Sequence, residues 1–367
     1  MNNYTFINIF YKNIFFLITS SNLNKMYCLG FNLGLFFFLQ IASGIILTFM
    51  YNNNFNLCWF SILSINDFEN GFLIRSIHIT GTSIIYLLLY FHIIKSFIYL
   101  ILHNLSTIVW LIGIIIYFFT IIIAFIGYVL PLTQMSYWGL TVFSNIISTV
   151  PYIGYILCYW IWGSEFIQDF TLIKVHSLHI FLPFILVLII ILHFYFLHYY
   201  ISSDFFFDRF VFYYEKSIFT YYYMYRDFLS LLLILFNYIY MINIYWYFVF
   251  HEESFEIVNV MKTSDKIIPE WFFLTFFGFI KAVPDKFGGM VLLILSLIIF
   301  FTFNIFIINN YYFFFSYNAN YKNTIFIIYI LYIIGILSVN VTLLFPFLHQ
   351  LQYVVLIYLI FFGLKLL

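Results

Sequence analysis

Charge is what this chain has least of. Only 8% of its 367 residues are Asp, Glu, Lys or Arg, against about 25% in an ordinary soluble domain. A chain so poor in charge cannot cover itself with a solvated surface, which excludes a soluble enzyme and a disordered scaffold. The 14 basic and 14 acidic side chains cancel, so there is no electrostatic footprint for nucleic acid. Cysteine is scarce as well. Cys28, Cys58 and Cys158 lie far apart with no CxxC pair, which argues against a disulfide framework and a thiolate metal site. There is no internal repeat and no Pro/Ser-rich linker to mark off a soluble domain. What remains is apolar: 65% hydrophobic residues, among them 54 Phe and 34 Tyr, with a mean hydropathy of +1.05. The chain belongs in a bilayer.

A spanning helix needs about 20 mostly apolar residues. Eight stretches qualify: Leu29–Met50, Ile74–Leu102, Ile108–Leu130, Thr171–Ile201, Tyr223–Tyr247, Gly288–Ile308, Thr324–Leu344 and Phe347–Leu364. Their high Ile content is no obstacle, because backbone satisfaction in lipid imposes helix regardless of propensity. The expected fold is therefore an all-α integral membrane protein of eight transmembrane helices. Residues 1–28 form an N-terminal surface segment, 29–201 a four-helix bundle with a long loop at 131–170, and 202–367 the C-terminal membrane helices. The first 28 residues contain Asn, Lys and Ser without a small-residue cleavage site, so the expectation is synthesis in the compartment of insertion. The skew to Phe, Ile, Tyr and Asn fits an AT-rich organellar genome. An even number of spans puts both termini on one side, and eight Lys/Arg against six makes that the inner side.

Four histidines fall inside predicted spans: His78 and His92 in the second, His179 and His193 in the fourth. Each pair is 14 residues apart, which is about 21 Å along a helix axis and within about 40° of the same face. Spans two and four run parallel in an up-and-down bundle, so His78 meets the level of His179 and His92 that of His193. A single histidine in a span is more often a polar group satisfied by a neighbour. Two pairs of identical spacing on parallel helices suit two stacked bis-imidazole sites, each for a low-spin haem. His103, His176, His251 and His349 have no such partners and take no ligand role.

The glycines repeat the period. Gly30 and Gly44 in the first span, and Gly113 and Gly127 in the third, are also 14 apart. Glycine in a membrane helix usually only lets helices approach closely. The shared period on the two antiparallel neighbours suggests bare backbone where a porphyrin face must come close. Gly44 and Gly127 should lie level with His78 and His179, and Gly30 and Gly113 level with His92 and His193.

These residues carry a resemblance. The motifs Arg75-Ser-Ile-His78-Ile-Thr-Gly81, Gly127-Tyr-Val-Leu-Pro131, Gln134-Met-Ser-Tyr-Trp138-Gly139, His179-Ile-Phe-Leu-Pro183 and Pro269-Glu-Trp271 resemble those of the mitochondrial cytochrome b family, the di-haem subunit of the cytochrome bc1 complex (respiratory complex III). The match runs almost end to end, as a divergent member. It is strongest from Gly30 to about Asp204 and from Pro269 to Gly289. The resemblance implies two haem b groups. His78 and His179 would hold the iron of the low-potential haem near the outer face, and His92 and His193 that of the high-potential haem near the matrix. Arg75 corresponds to an arginine at a haem propionate. Lys95 stands where the family usually has an arginine, keeping the charge but losing the bidentate fork.

The resemblance further implies quinol oxidation in an outer pocket of Tyr128, Trp138, Gly139, Pro269 and Glu270, inside the segment 269–287, with Glu270 and Tyr128 as catalytic groups. A carboxylate beside an apolar pocket can accept a quinol proton, although an acid just after a proline also suits a helix start. One electron would pass to the Rieske iron–sulfur protein. The other would cross both haems to a quinone-reducing pocket of His198, Ser202 and Asp227, with Arg226 adjacent. Ubiquinol and ubiquinone are the implied substrates. Cytochrome c1 and further complex III subunits are implied partners, in a homodimer of the mitochondrial inner membrane. The family's Pro-Trp-Gly-Gln is here Pro131-Leu-Thr-Gln134, and a usual Tyr is Phe277. A reading from another class, a proton-coupled transporter with a His/Glu relay, accounts for histidines in spans but not for their period.

Overall fold

The computed structural model describes residues 18–20, 25–68, 70–103, 107–200, 216–244, 252–264, 266–309, 329–340 and 347–366. It is helical almost throughout. Helix α1 runs Cys28–Thr48, short α2 Cys58–Asp67, α3 Gly71–His103, α4 Thr107–Val129, α5 Gln134–Ile147, α6 Gly154–Trp162 and α7 Asp169–Tyr200. After a single helical turn at Phe219–Tyr222 come α8 Met224–Ile244, α9 Leu274–Lys281, α10 Lys286–Asn309, α11 Tyr329–Asn340 and α12 Phe347–Leu366.

A helix stands on each of the eight predicted spans. Five, namely α1, α3, α4, α7 and α8, are long and apolar enough among the described residues to cross a membrane. Their outward faces carry bare apolar side chains such as Leu188, 67% exposed, and Phe236, 75% exposed. Lipid, not water, is the solvent such faces fit. Within α7, Pro183 cannot donate a backbone bond to the carbonyl one turn earlier, that of His179.

The first four long helices pair as α1 with α3 and α4 with α7. Ile112, Ile116 and Leu186 seal the second pair. A larger core of Leu33, Phe36, Ile84, Tyr86, Tyr117, Tyr238 and Phe272 joins α1, α3, α4, α8 and the turn before α9. A third cluster, including Trp110, Phe279, Ile334, Leu351 and Tyr358, fastens α4 to the C-terminal helices.

The non-spanning segments gather at two ends. At the end we call outer, Tyr51 donates to the Leu130 carbonyl at 2.7 Å, and the Phe55 amide donates to the Asp169 carboxylate at 2.6 Å. Gln134 ties the two long outer segments together. Its amide group donates to the Lys262 carbonyl at 2.6 Å and accepts from the Asn259 amide at 2.7 Å. The unusual Thr133 has a local use: it caps α5, its hydroxyl accepting from the Ser136 amide at 3.2 Å while Ser136 Oγ accepts from the Thr133 amide at 2.8 Å. At the inner end, Ile18–Ser20 pairs antiparallel with Lys216–Ile218. The rest of segment 1–28 lies largely outside the described residues, so its expected surface role rests on sequence alone.

Candidate functional site

The four-helix bundle brings the four span histidines together as two pairs. His78 on α3 and His179 on α7 have ring centroids 6.2 Å apart with planes at 83°. The glycines lie at the expected levels. A Cβ built on Gly44 would meet His78 Cε1 at 3.1 Å, and one on Gly127 would meet His179 Cε1 at 2.5 Å. At the other level a Cβ on Gly30 would meet His92 Cε1 at 3.6 Å, and one on Gly113 would meet His193 Cε1 at 3.3 Å.

The outer pair is also oriented. His78 Nδ1 lies 3.0 Å from Ser43 Oγ, and His179 Nδ1 lies 3.0 Å from the Ile123 carbonyl. The carbonyl can only accept, so His179 carries its proton on Nδ1 and keeps Nε2 free. Gln40 fixes the backbone, donating from Nε2 to the His78 carbonyl at 2.9 Å. At the inner level His92 Nδ1 and His193 Nδ1 are buried without a hydrogen-bond partner. Ser43, Gln40 and Ile123 are participants the sequence reading did not single out.

These donors suit haem iron. An imidazole nitrogen sits about 2 Å from a transition metal, so two imidazoles on one iron have centroids about 6 Å apart, as His78 and His179 do. Neutral imidazoles facing bare glycine backbone are what a flat, doubly ligated macrocycle requires.

The predicted charged contacts to such a group take other partners here. Arg75 donates from Nη1 to Asn66 Oδ1 at 3.0 Å. Lys95 Nζ lies 3.7 Å above the Tyr27 ring.

At the outer end the expected quinol-pocket residues converge. Glu270 immediately precedes the turn Trp271–Phe273 that leads into α9. No side-chain cap bond forms there, so the helix-start reading of Glu270 finds no hydrogen bond to support it. Burial of the carboxyl pushes its pKa up to about 8. Tyr128, at the end of α4, is close enough to feel the Glu270 charge, and Ser254 lies beside its hydroxyl. The Tyr128 ring faces Gly139, whose Cβ would sit 3.9 Å from its edge. Trp138 Nε1 is buried and unpartnered. The turn itself is held rigidly: Phe272 stacks on Tyr86 at 4.1 Å and 4°, Tyr90 donates to the Phe272 carbonyl at 2.6 Å, and Trp271 Nε1 donates to Ser83 Oγ at 3.4 Å. Phe277, lacking the hydroxyl, is buried with Lys281 Nζ 5.4 Å from its ring centre.

At the inner end Asp227 is buried at the start of α8, next to the Cys28 thiol of α1. One turn on, Asn32 Nδ2 donates to Ser230 Oγ at 2.9 Å, leaving Asn32 Oδ1 buried without a partner. His198 stands in the last turn of α7, exposed, its ring 6.2 Å from Phe194. Ser202 lies outside the described residues.

Residues 14–201 match the family described as Cytochrome b/b6/petB, and residues 257–360 match Cytochrome b(C-terminal)/b6/petD. The cytochrome b of Leishmania tarentolae is 47% identical over 349 residues, covering 95% of this chain and 94% of that one. The chain belongs to the cytochrome b family. The cytochrome b of Trypanosoma brucei brucei is 50% identical over 343 residues, covering 93% and 94%. A solved chain of a "Hyperthermophilic respiratory Complex III" has the same fold, with a TM-score of 0.81 at 22% identity over 97% of this chain and 98% of that one. As a cytochrome b, this chain is the redox subunit of a quinol–cytochrome c oxidoreductase.

Proposed function

We propose that this cytochrome b carries two haem b groups, held at the outer level by His78 and His179 and at the inner level by His92 and His193. The observation that carries the reading is the pairing of each histidine ring with one glycine of the 14-residue series. Haem supplies reversible one-electron transfer at each level; every other task falls to the chain. Gly44 and Gly127, like Gly30 and Gly113, leave room for a macrocycle face. Arg75 and Lys95 supply positive charge near the ends of the bundle.

Quinol is oxidised at the outer end. Tyr128, Trp138, Gly139 and Pro269 line its pocket, and the ionised Glu270 carboxylate accepts a proton from a quinol hydroxyl. An acid with its pKa near 8 is close to neutral operating pH, where a general base is most useful. The Tyr128 hydroxyl, with Ser254 beside it, orders the mouth of that pocket. At the inner end His198, Ser202 and Asp227 bind quinone, His198 as a hydrogen-bond donor to its carbonyl and Asp227 as a source of protons.

The same reading gives eight membrane spans with both termini on the matrix side of the mitochondrial inner membrane. It divides the chain into a segment at 1–28, a di-haem bundle at 29–201 and a C-terminal part at 202–367. Its partners are the Rieske iron–sulfur protein and cytochrome c1, in a dimeric complex using ubiquinol.

The test is the reduced-minus-oxidised visible spectrum of the purified complex. Two b-type haems per chain are expected. A native preparation free of haem sinks the proposal.

A further inference from the structure

The two histidine levels are not equivalent, and the inequality can be traced to one position on α1. The residue before the histidine-facing glycine is Ser43 at the outer level and Leu29 at the inner level. Ser43 Oγ donates its hydrogen to a carbonyl of the preceding turn, Leu39 at 2.9 Å or Gln40 at 3.1 Å. With His78 Nε2 given to iron, its Nδ1 carries the hydrogen, so toward that nitrogen, at 3.0 Å, Ser43 accepts. The Gln40 backbone also lies close to the His78 ring. The opposite imidazole is treated alike, His179 Nδ1 donating to the Ile123 carbonyl at 3.0 Å. At the inner level Leu29 has no oxygen to offer, and His92 Nδ1 is buried and unpartnered. The Val109 backbone, 14 residues before Ile123, lies near the His193 ring, but His193 Nδ1 has no well-formed hydrogen bond.

An acceptor on the distal N–H of a ligating imidazole draws the proton outward and makes the ligand more basic. A more basic ligand favours the oxidised, more positive iron and so lowers its potential. We propose that Ser43 is a positioning residue that acts through His78 to hold the outer haem at lower potential than the inner one, so that the Ser43/Leu29 asymmetry helps set the direction of electron flow across the bundle. The inference rests on the ligand reading above and goes beyond it.

The test uses the assembled complex in membranes, with redox titration of each haem band in wild type, Ser43→Ala, Ser43→Thr and Leu29→Ser. Loss of one hydrogen bond of ordinary strength corresponds to about three- to tenfold in the oxidised-to-reduced ratio, or about 30–60 mV at about 59 mV per decade. Ser43→Ala should raise the outer midpoint by this amount at most, since the Gln40 backbone can take part of the proton. Ser43→Thr, which keeps the hydroxyl, should restore the wild-type value. Leu29→Ser should lower the inner midpoint and leave the outer one in place. The inference is overturned if both haems are present and Ser43→Ala leaves the outer midpoint unmoved, or if Ser43→Thr moves it equally. Should Ser43→Ala fail to assemble, an unmoved inner midpoint in Leu29→Ser overturns it instead. A wild-type complex without two b-type bands would be a different failure, that of the ligand reading itself.

Discussion

The outer and inner ends of the bundle are built to one plan with different tolerances. At the outer level the glycine-to-histidine approaches are 2.5 and 3.1 Å and both imidazoles have Nδ1 partners; at the inner level they are 3.3 and 3.6 Å and both Nδ1 atoms lack one. The difference teaches that a sequence repeat fixes where the histidines stand, while the residues beside the repeat decide how firmly they are held. The outer end therefore has the sharper geometry, and substitutions there should cost more.

The largest effect should come from filling the tightest contact. Gly127→Leu should abolish the outer haem, whereas Gly34→Leu on α1, with open space around its Cβ position, should leave haem content intact. Equal haem in the two purified proteins would break the comparison. The ligands themselves come next: His92→Ala or His193→Ala should remove the inner haem while the outer band persists, because half a bis-imidazole site retains iron poorly. Selective loss of the outer band in either variant would invert the assignment of levels.

Glu270→Gln should have an intermediate effect. The carboxyl has a raised pKa of about 8, so it is mostly protonated below that pH and its base form grows as pH rises through it. Quinol oxidation in wild type should therefore climb toward pH 8. The Gln variant should be slower by roughly 10²-fold or less and lose this limb, in line with general-base contributions. Quinol:cytochrome c turnover against pH, in membranes of matched haem content, measures it; an unchanged profile removes Glu270 from the chemistry. The smallest effect should be Gly30→Ala. Its new methyl would meet His92 at an ordinary 3.6 Å, so inner haem content should stay near wild type, while Gly44→Ala at 3.1 Å should lower outer haem measurably.

Much of this was legible in the sequence because a membrane leaves few choices. Apolar runs of about 20 residues must be helices, so a described helix falls within each of the eight predicted spans, five of them long enough to cross a membrane, and two residue types repeating at 14 positions align on one face whatever the intervening side chains. The structure added what depends on contacts between distant segments. Nothing local marks Ile123 as a hydrogen-bond acceptor, since it acts through its carbonyl. Ser43 did leave a trace, as the one polar counterpart of Leu29 in the repeat, but only the distance to His78 gives it a role. The strand pairing of Ile18–Ser20 with Lys216–Ile218 joins segments nearly two hundred residues apart and carries no helical signal. Thr133 read as a departure from the family pattern and is a helix cap.

The even spacing of the histidines has a bearing on how the protein is made. Each pair draws its two members from α3 and α7, and in both pairs the members are separated by 101 residues. At synthesis rates of about 5–20 residues per second, the first imidazole of either pair waits about 5–20 seconds in the bilayer before its counterpart leaves the ribosome. Neither pair can close around a cofactor in that interval. The outer pair is completed first, when His179 emerges, and the inner pair only when His193 follows, so biogenesis can fill the two levels in the order of the proposed electron path.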